Sequence, residues 1–239
     1  MSIQNLFTTP LRVVNVGIES FKDVCDQISP PAIQVDWRPP VDVSPESEDI
    51  LARRAAKIEK ANQKVMEIIL SGTPRLVGLD IARNVIPGMT ENTILHAGPP
   101  ITWDRMCGPM RGGVMAGLVY EGRASSIEEA EKLAASGKIH YAPCHEHGAV
   151  GPMAGIVTPS MPVWIVKNEK YGNTAFCTLN EGLGKVLRYG AFGDEVTKRL
   201  KWMENTLYPV LKAAVEHSGP IDLKNLIAQA LHMGDEVHN

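Results

Sequence analysis

No stretch of this sequence approaches the roughly 18 consecutive apolar residues of a membrane span, so a membrane protein is not expected. The first residues, MSIQNLFTTPLRVVNVG, lack the basic start and apolar core of a secretory signal. There is no basic run and the net charge is −3, which argues against a nucleic-acid partner. Four cysteines (Cys25, Cys107, Cys144 and Cys177) are widely spaced and form no C-x-x-C pair. With no signal, they read as free thiols in a reducing cytoplasm. No H-E-x-x-H, no two-Cys two-His spacing and no Walker pattern occurs, and the turn NVGIES is not a G-x-G-x-x-G fingerprint.

What is present is an ordinary globular composition, with 44% apolar and 21% charged residues over 239 positions. Such a chain fits one large domain or two small ones, and buries roughly 70–75% of its unfolded surface. Leu11 to Val16 is a β-branched run ended by Gly17. Ile18, Phe21, Val24, Cys25 and Ile28 then follow at helical spacing. Pro30-Pro31 stops that helix and Ala32 to Trp37 resumes as a strand, which makes a βαβ unit. After the connector RPPVDVSP, Ser44 or Ser47 caps a helix running to Leu70, whose charged residues read as a solvated face. Arg75 to Ala82 and Thr93 to Ala97 read as strands. Asp80 is placed either at a strand's site-bearing end or, more simply, in a turn or helix cap.

The next stretch, ITWDRMCGPMRGGVMAGLVYEG, reads as a helix reset at Gly108-Pro109. Gly108, Gly112, Gly113 and Gly117 each cost about 1 kcal/mol there against Ala, which implies close packing or close ligand approach. Arg105 and Arg111 are its cationic donors, suited to a carboxylate or phosphate, or to an ion pair with Asp104 or Glu121. Ser126 to Ser136 is a capped helix. The fold class expected is α/β: an N-terminal Rossmann-like βαβ module, a mixed α/β region with Gly/Pro-rich loops, and a helical C-terminal segment. The divisions are placed at 1–90, 91–190 and 191–239. Pro209 is expected to kink the helix of Gly193 to His217, and Ile221 to Met233 to be another helix.

Tyr141 to Arg188 holds most of the reactive groups. Cys144, His145, Glu146 and His147 are consecutive. On an extended segment His145 and His147 share a side, a possible metal pair completed by His96, Asp235 or His238. Cys144 and His145 would point apart there, which disfavours a nucleophilic dyad. Acid–base work by His145, Glu146 or His147 is the leading reading, against a hydrogen-bonded structural loop. Gly148 to Gly155 either presents amides to an anion or is a close-packed turn. Asn180, Glu181, Lys185 and Arg188 follow a strand's carboxyl end, where α/β sheets bind ligands. Asp235, Glu236 and His238 bring polar groups to the end of the chain, or are simply a polar tail.

LHAGPPITWDRMCGPMRGGV, PCHEHGAVGPMAG, LNEGLGKVLRYGA and ALHMGDEVHN together resemble the YlbE/YahG-like family, over the span from about Asn5 to the last residue. The resemblance implies a subunit of the oxamate carbamoyltransferase type, exchanging oxamate plus carbamoyl phosphate with oxalurate plus phosphate. It also implies an FdrA-like partner subunit, a homo- or hetero-oligomer, and a place in purine or allantoin degradation. Family chains are longer and the motif M-G-D-E-x-H-N normally continues, so an N-terminal part or one half of a split protein is expected. With the residues read above, the expected catalytic set is His145, Glu146, His147 and Lys185. The expected substrate set is His96, Arg105, Arg111, Asn180, Glu181, Arg188, Asp235, Glu236 and His238. No cofactor is expected. The alternatives are a non-catalytic anion-binding scaffold, and a metal-dependent hydrolase using His145 and His147.

Overall fold

The computed structural model describes residues 8, 10–28, 30–37, 43–152, 155–179, 187 and 192–237. The chain is α/β and divides into two compact units, residues 1–64 and 65–239. In the first, β1 (Val13–Val16), α1 (Ser20–Ile28) and β2 (Ala32–Val35) form a βαβ unit whose strands pair in parallel, Val13 opposite Ala32. Gly17 turns strand into helix at φ +119°, a value that favours glycine. The side chains of Asn15 and Gln34 brace the two strands, Asn15 Nδ2 donating to Gln34 Oε1 at 2.6 Å. α2 (Pro45–Ser71) is capped by Ser44, whose Oγ accepts from the Ser47 amide.

The second unit is built on two sheets. β3 (Pro74–Ile81), β8 (Pro162–Asn168), β9 (Thr174–Thr178), β6 (Ala149–Val150) and β10 (Ile221–Asp222) form one, in the order β10-β3-β8-β9-β6. β4 (Thr93–His96), β5 (His140–Pro143) and β7 (Ile156–Val157) form the other, in the order β5-β4-β7. β4 and β5 are parallel, and the crossover between them carries α4 (Gly108–Tyr120) and α5 (Ile127–Ala135). The short α3 (Ala82–Val85) follows β3. α6 (Asp194–Trp202), a π-helical turn (Met203–Leu207), α7 (Tyr208–Ser218) and α8 (Leu223–His232) complete the chain.

All four residues of β4 are buried, and their alternation divides the interior. Ile94, with Ile156 of β7, packs in a core of α4, α5 and α6 residues that includes Val114, Leu118, Ala130 and Leu200. Leu95, with Val157, packs on the other side with Val163 and Phe176 of the larger sheet. The small sheet is therefore a central layer with a core on each face. The helix glycines serve packing: a Cβ on Gly117 would lie 2.7 Å from Ile156 Cδ1, and one on Gly112 would lie 2.8 Å from the Phe192 ring.

Two local readings gain detail. Pro209 sits in the first turn of α7, and the preceding backbone widens to a π turn, which interrupts the α-helical ladder where a proline has no N–H to donate. Ile221 and Asp222 do not begin a helix. They pair with Leu76 and Arg75 of β3, and Asp222 then caps α8 by accepting from the Asn225 amide.

Candidate functional site

The parallel strand β5 ends at Pro143, and Cys144–His147 coil into a single 3-10 turn closed by Gly148 in the left-handed region. A 3-10 turn has three residues per revolution, so residues two apart diverge by about 120°. His145 and His147 therefore do not share a side, contrary to the extended reading, and the paired-imidazole metal arrangement is lost. Among the described residues no group of three or more His, Cys, Asp or Glu side chains gathers to hold a metal ion.

What the turn does is deliver Glu146 and His147 to an open cleft of about 640 Å³. Val85 at the end of α3, Pro87 beyond it, Gly148, Ile165 of β8, and Thr174 and Phe176 of β9 line the rest. His147 Nδ1 lies 2.7 Å from the Pro87 carbonyl oxygen. A carbonyl can only accept, so Nδ1 carries the hydrogen and the neutral ring keeps its lone pair on Nε2. The ring edge rests on Gly88, where a Cβ would approach His147 Cε1 to 3.3 Å and where φ is +75°. Glycine is thus required at that position twice over. The cleft combines a held proton acceptor, a carboxylate, a hydroxyl and an apolar wall, which suits orientation and proton transfer on a small polar substrate.

The other expected site residues lie elsewhere. His145 is exposed and is not part of the cleft wall. Cys144 is buried, and burial pushes its thiol up to about 11, only partly offset by backbone hydrogen bonds at Cys144 and Gly151, so it is no nucleophile at neutral pH. His96 is wholly buried on the α4 side of β4, the face opposite the cleft. Its Nδ1 donates to the Ala97 carbonyl at 3.0 Å, and its Nε2 has no partner among the described residues. Arg105 is exposed on the 3-10 turn Trp103–Arg105. Arg111 works as a clamp: Nη2 donates to the Asp104 carbonyl at 2.6 Å while the guanidinium lies 5.3 Å from the Trp103 ring centroid. A side-chain hydrogen bond from Thr102 and, to a lesser degree, the charges of Arg105 and Arg111 hold the Asp104 carboxyl below the usual range, while Glu121 accepts from the Ser160 amide and hydroxyl. Asp235 and Glu236 are exposed beyond α8, Asp235 accepting from the Val237 amide at 2.7 Å. Asn180, Glu181, Lys185, Arg188 and His238 fall outside the described residues.

Pro87, Gly88, Thr174 and Phe176 were missed in the sequence. The Pro-Gly pair at 87–88 is a turn signal, but nothing local links it to a histidine 60 positions away. Asp80, left between a site role and a turn or helix cap, is a tether: Ile81 is the N-cap of α3 and no side chain caps it. Asp80 Oδ1 accepts from the Ile81 amide and from Asn84, and Oδ2 faces Lys212 at 3.4 Å. Burial raises its pKa, but these donors outweigh that and leave the carboxyl below the usual range.

A family model described as "Oxamate carbamoyltransferase subunit AllG" matches residues 139–239, the segment containing the Glu146–His147 turn. Over 241 residues the chain is 48% identical to an uncharacterized protein, YahG, of Escherichia coli (strain K12), covering 99% of this chain and 51% of that protein. Over 183 residues it is 42% identical to the oxamate carbamoyltransferase subunit AllG of the same organism, covering 76% and 44%. The chain belongs to the YahG/AllG-like family. It spans about half the length of the curated relatives it matches. A crystal structure of a conserved protein of unknown function from Enterococcus faecalis V583 shares the fold, with 54% identity and a TM-score of 0.73, over 77% of this chain and 44% of that one. Among the described residues no helix of this family member is long and apolar enough to cross a membrane.

Proposed function

We propose that this chain is part of a carbamoyltransferase of the oxamate type, and that the His147 cleft moves the proton during transfer. The observation that carries the reading is the His147 ring, pinned through Nδ1 to Pro87 with Nε2 left as acceptor beside Glu146. Its occurrence in a chain 42% identical to an oxamate carbamoyltransferase subunit points it to that chemistry. The acceptor amide is a poor nucleophile until it loses a proton. In the step proposed, the amide nitrogen attacks the carbonyl carbon of carbamoyl phosphate and the new C–N bond forms. The C–O bond to phosphate breaks and the phosphate leaves with the electron pair. His147 Nε2 takes the amide proton and returns it to phosphate or solvent. The Glu146 carboxylate orients the amide by accepting its second N–H.

We further propose that it acts in the cytoplasm, within an oligomer that includes an FdrA-like partner, by a step that calls on no cofactor. A non-catalytic subunit is the second reading, favoured by one observation: of the expected residues that are described, only Glu146 and His147 share the cleft. A carbamoyl-transfer assay decides. Oxamate and carbamoyl phosphate are supplied to the chain, to a full-length relative and to either with an FdrA-like partner, and phosphate and oxalurate are measured. Turnover lost in His147→Gln supports the catalytic reading. Turnover unchanged in that variant removes it.

A further inference from the structure

Strand register brings one more side chain to the cleft. β8 and β9 pair without interruption, Ile165 opposite Phe176 and Lys167 opposite Thr174. Directly opposed residues project from the same face, with Cβ atoms about 4.5–5.5 Å apart, and residues two apart on a strand share that face. Ile165, Phe176 and Thr174 all line the cleft, so Lys167 stands on the cleft face, one step beyond Ile165. The Thr174 carbonyl oxygen lies 3.4 Å from where a Cβ on Gly148 would be, so this end of the strand pair adjoins the turn that carries His147.

Lys167 is exposed, and its ammonium makes no ion pair or hydrogen bond among the described residues. Three lysines of the unit are engaged, Lys201 with Glu204, Lys212 with Asp80, and Lys224 with the carbonyls of Leu70 and Gly72; what sets Lys167 apart from the remaining lysines is its place on the cleft face. The Thr174 hydroxyl likewise has no partner among the described residues. Glu146 puts a carboxylate on the cleft wall and, among the described residues, no lysine or arginine lines it, so a small anion needs a cation supplied from the rim. The lysine stem can lie along the apolar Ile165 side chain while its ammonium points to the opening.

We propose that Lys167, with the Thr174 hydroxyl, is the anion-holding end of the cleft. It takes the carboxylate or phosphate of a small substrate whose amide or carbonyl end meets Glu146 and His147. This rests on reading the cleft as the substrate site, and it adds the residue that selects an anion. An ammonium with one hydroxyl beside it makes two charge-assisted contacts to one carboxylate or phosphate.

The test is a calorimetric titration of the chain with oxamate, inorganic phosphate and acetamide. The proteins are wild type, Lys167→Met, Lys167→Arg, His147→Gln, and Lys170→Met as an exposed-lysine control from the β8–β9 turn. Lys167→Met is expected to weaken one or both anions by about tenfold or more while acetamide is unaffected, and Lys167→Arg to recover most of the loss. A loss confined to oxamate places the carboxylate at Lys167, and one confined to phosphate places the leaving group there. Unchanged anion affinity in Lys167→Met, or an equal loss in Lys170→Met, overturns the assignment. If Lys167→Met weakens the anions while His147→Gln leaves oxamate and acetamide affinity unchanged, the Lys167 site stands and the contact of the amide end with His147 in the bound state falls, the catalytic reading being decided separately by the turnover of His147→Gln. A wild type that binds no probe overturns both.

Discussion

Replacing Gly88 by Ala tests the support of His147 directly. Two separate costs are built into that position. The backbone sits at φ +75°, where an L side chain costs about 1–2 kcal/mol. The new Cβ would also lie 3.3 Å from His147 Cε1 and 3.4 Å from Nδ1, so the ring must yield. Displacing the ring breaks its 2.7 Å bond to the Pro87 carbonyl, worth about 0.5–1.5 kcal/mol. The sum, about 1.5–3.5 kcal/mol, corresponds to a Tm roughly 3–14 °C lower for a domain of this size. A double-mutant cycle with His147→Ala separates the two costs, because without the ring only the backbone cost remains. Urea denaturation of the four proteins should give a coupling of about 0.5–1.5 kcal/mol. In parallel, ¹⁵N NMR of His147 should show the Nδ1–H tautomer in wild type and its loss in Gly88→Ala. Equal destabilisation in both backgrounds, or an Nε2–H tautomer in wild type, would refute the reasoning.

Within α4, Gly113→Ala should raise stability by up to about 1 kcal/mol, since its Cβ would make ordinary contact with Ile156 at 3.7 Å. Gly117→Ala should instead destabilise by about 1–3 kcal/mol, because its Cβ falls within 3 Å of both Ile156 and Thr158, and paired thermal melts check the opposite signs. Iodoacetamide at pH 8 should label the exposed Cys107 and spare Cys144 until urea unfolds the chain or the pH nears 11, as peptide mass mapping would read. The Asp80 carboxyl is held below its unfolded value, so its contribution is present above about pH 4 and is lost as the pH falls through the lower folded value. Urea midpoints on acidification should therefore fall less steeply in Asp80→Asn than in wild type.

The secondary structure was most legible where local chemistry was unambiguous. The β-branched run before Gly17 and the Pro30-Pro31 stop marked the βαβ unit, and Ser126 marked the start of α5, where its hydroxyl accepts from the Glu129 amide. The turn at Cys144–His147 was not legible, because four polar or small residues between Pro143 and Gly148 fit an extended or a coiled backbone equally well. That ambiguity decided the whole question of which imidazoles face each other. The faces of β4 were hidden for a different reason: Thr93, Ile94, Leu95 and His96 are all buried, so no polar alternation marks either side. The cleft itself is assembled from β8, β9, the turn after α3 and the His147 turn, and only tertiary packing brings these together.

The placement of β4 as a central layer has a consequence for how its positions vary. Ile94 and Leu95 are adjacent in the chain yet answer to separate packing environments, one set by the helices and one by the larger sheet. A substitution scan along the strand should therefore read as two interleaved series rather than one profile. Each position should trade volume with distant partners, Ile94 with Val114 or Leu118 and Leu95 with Val163, sooner than with its own sequence neighbour. Helix-side changes can then accumulate while leaving the His147 wall largely untouched, so the two halves of the unit are free to diverge at different rates.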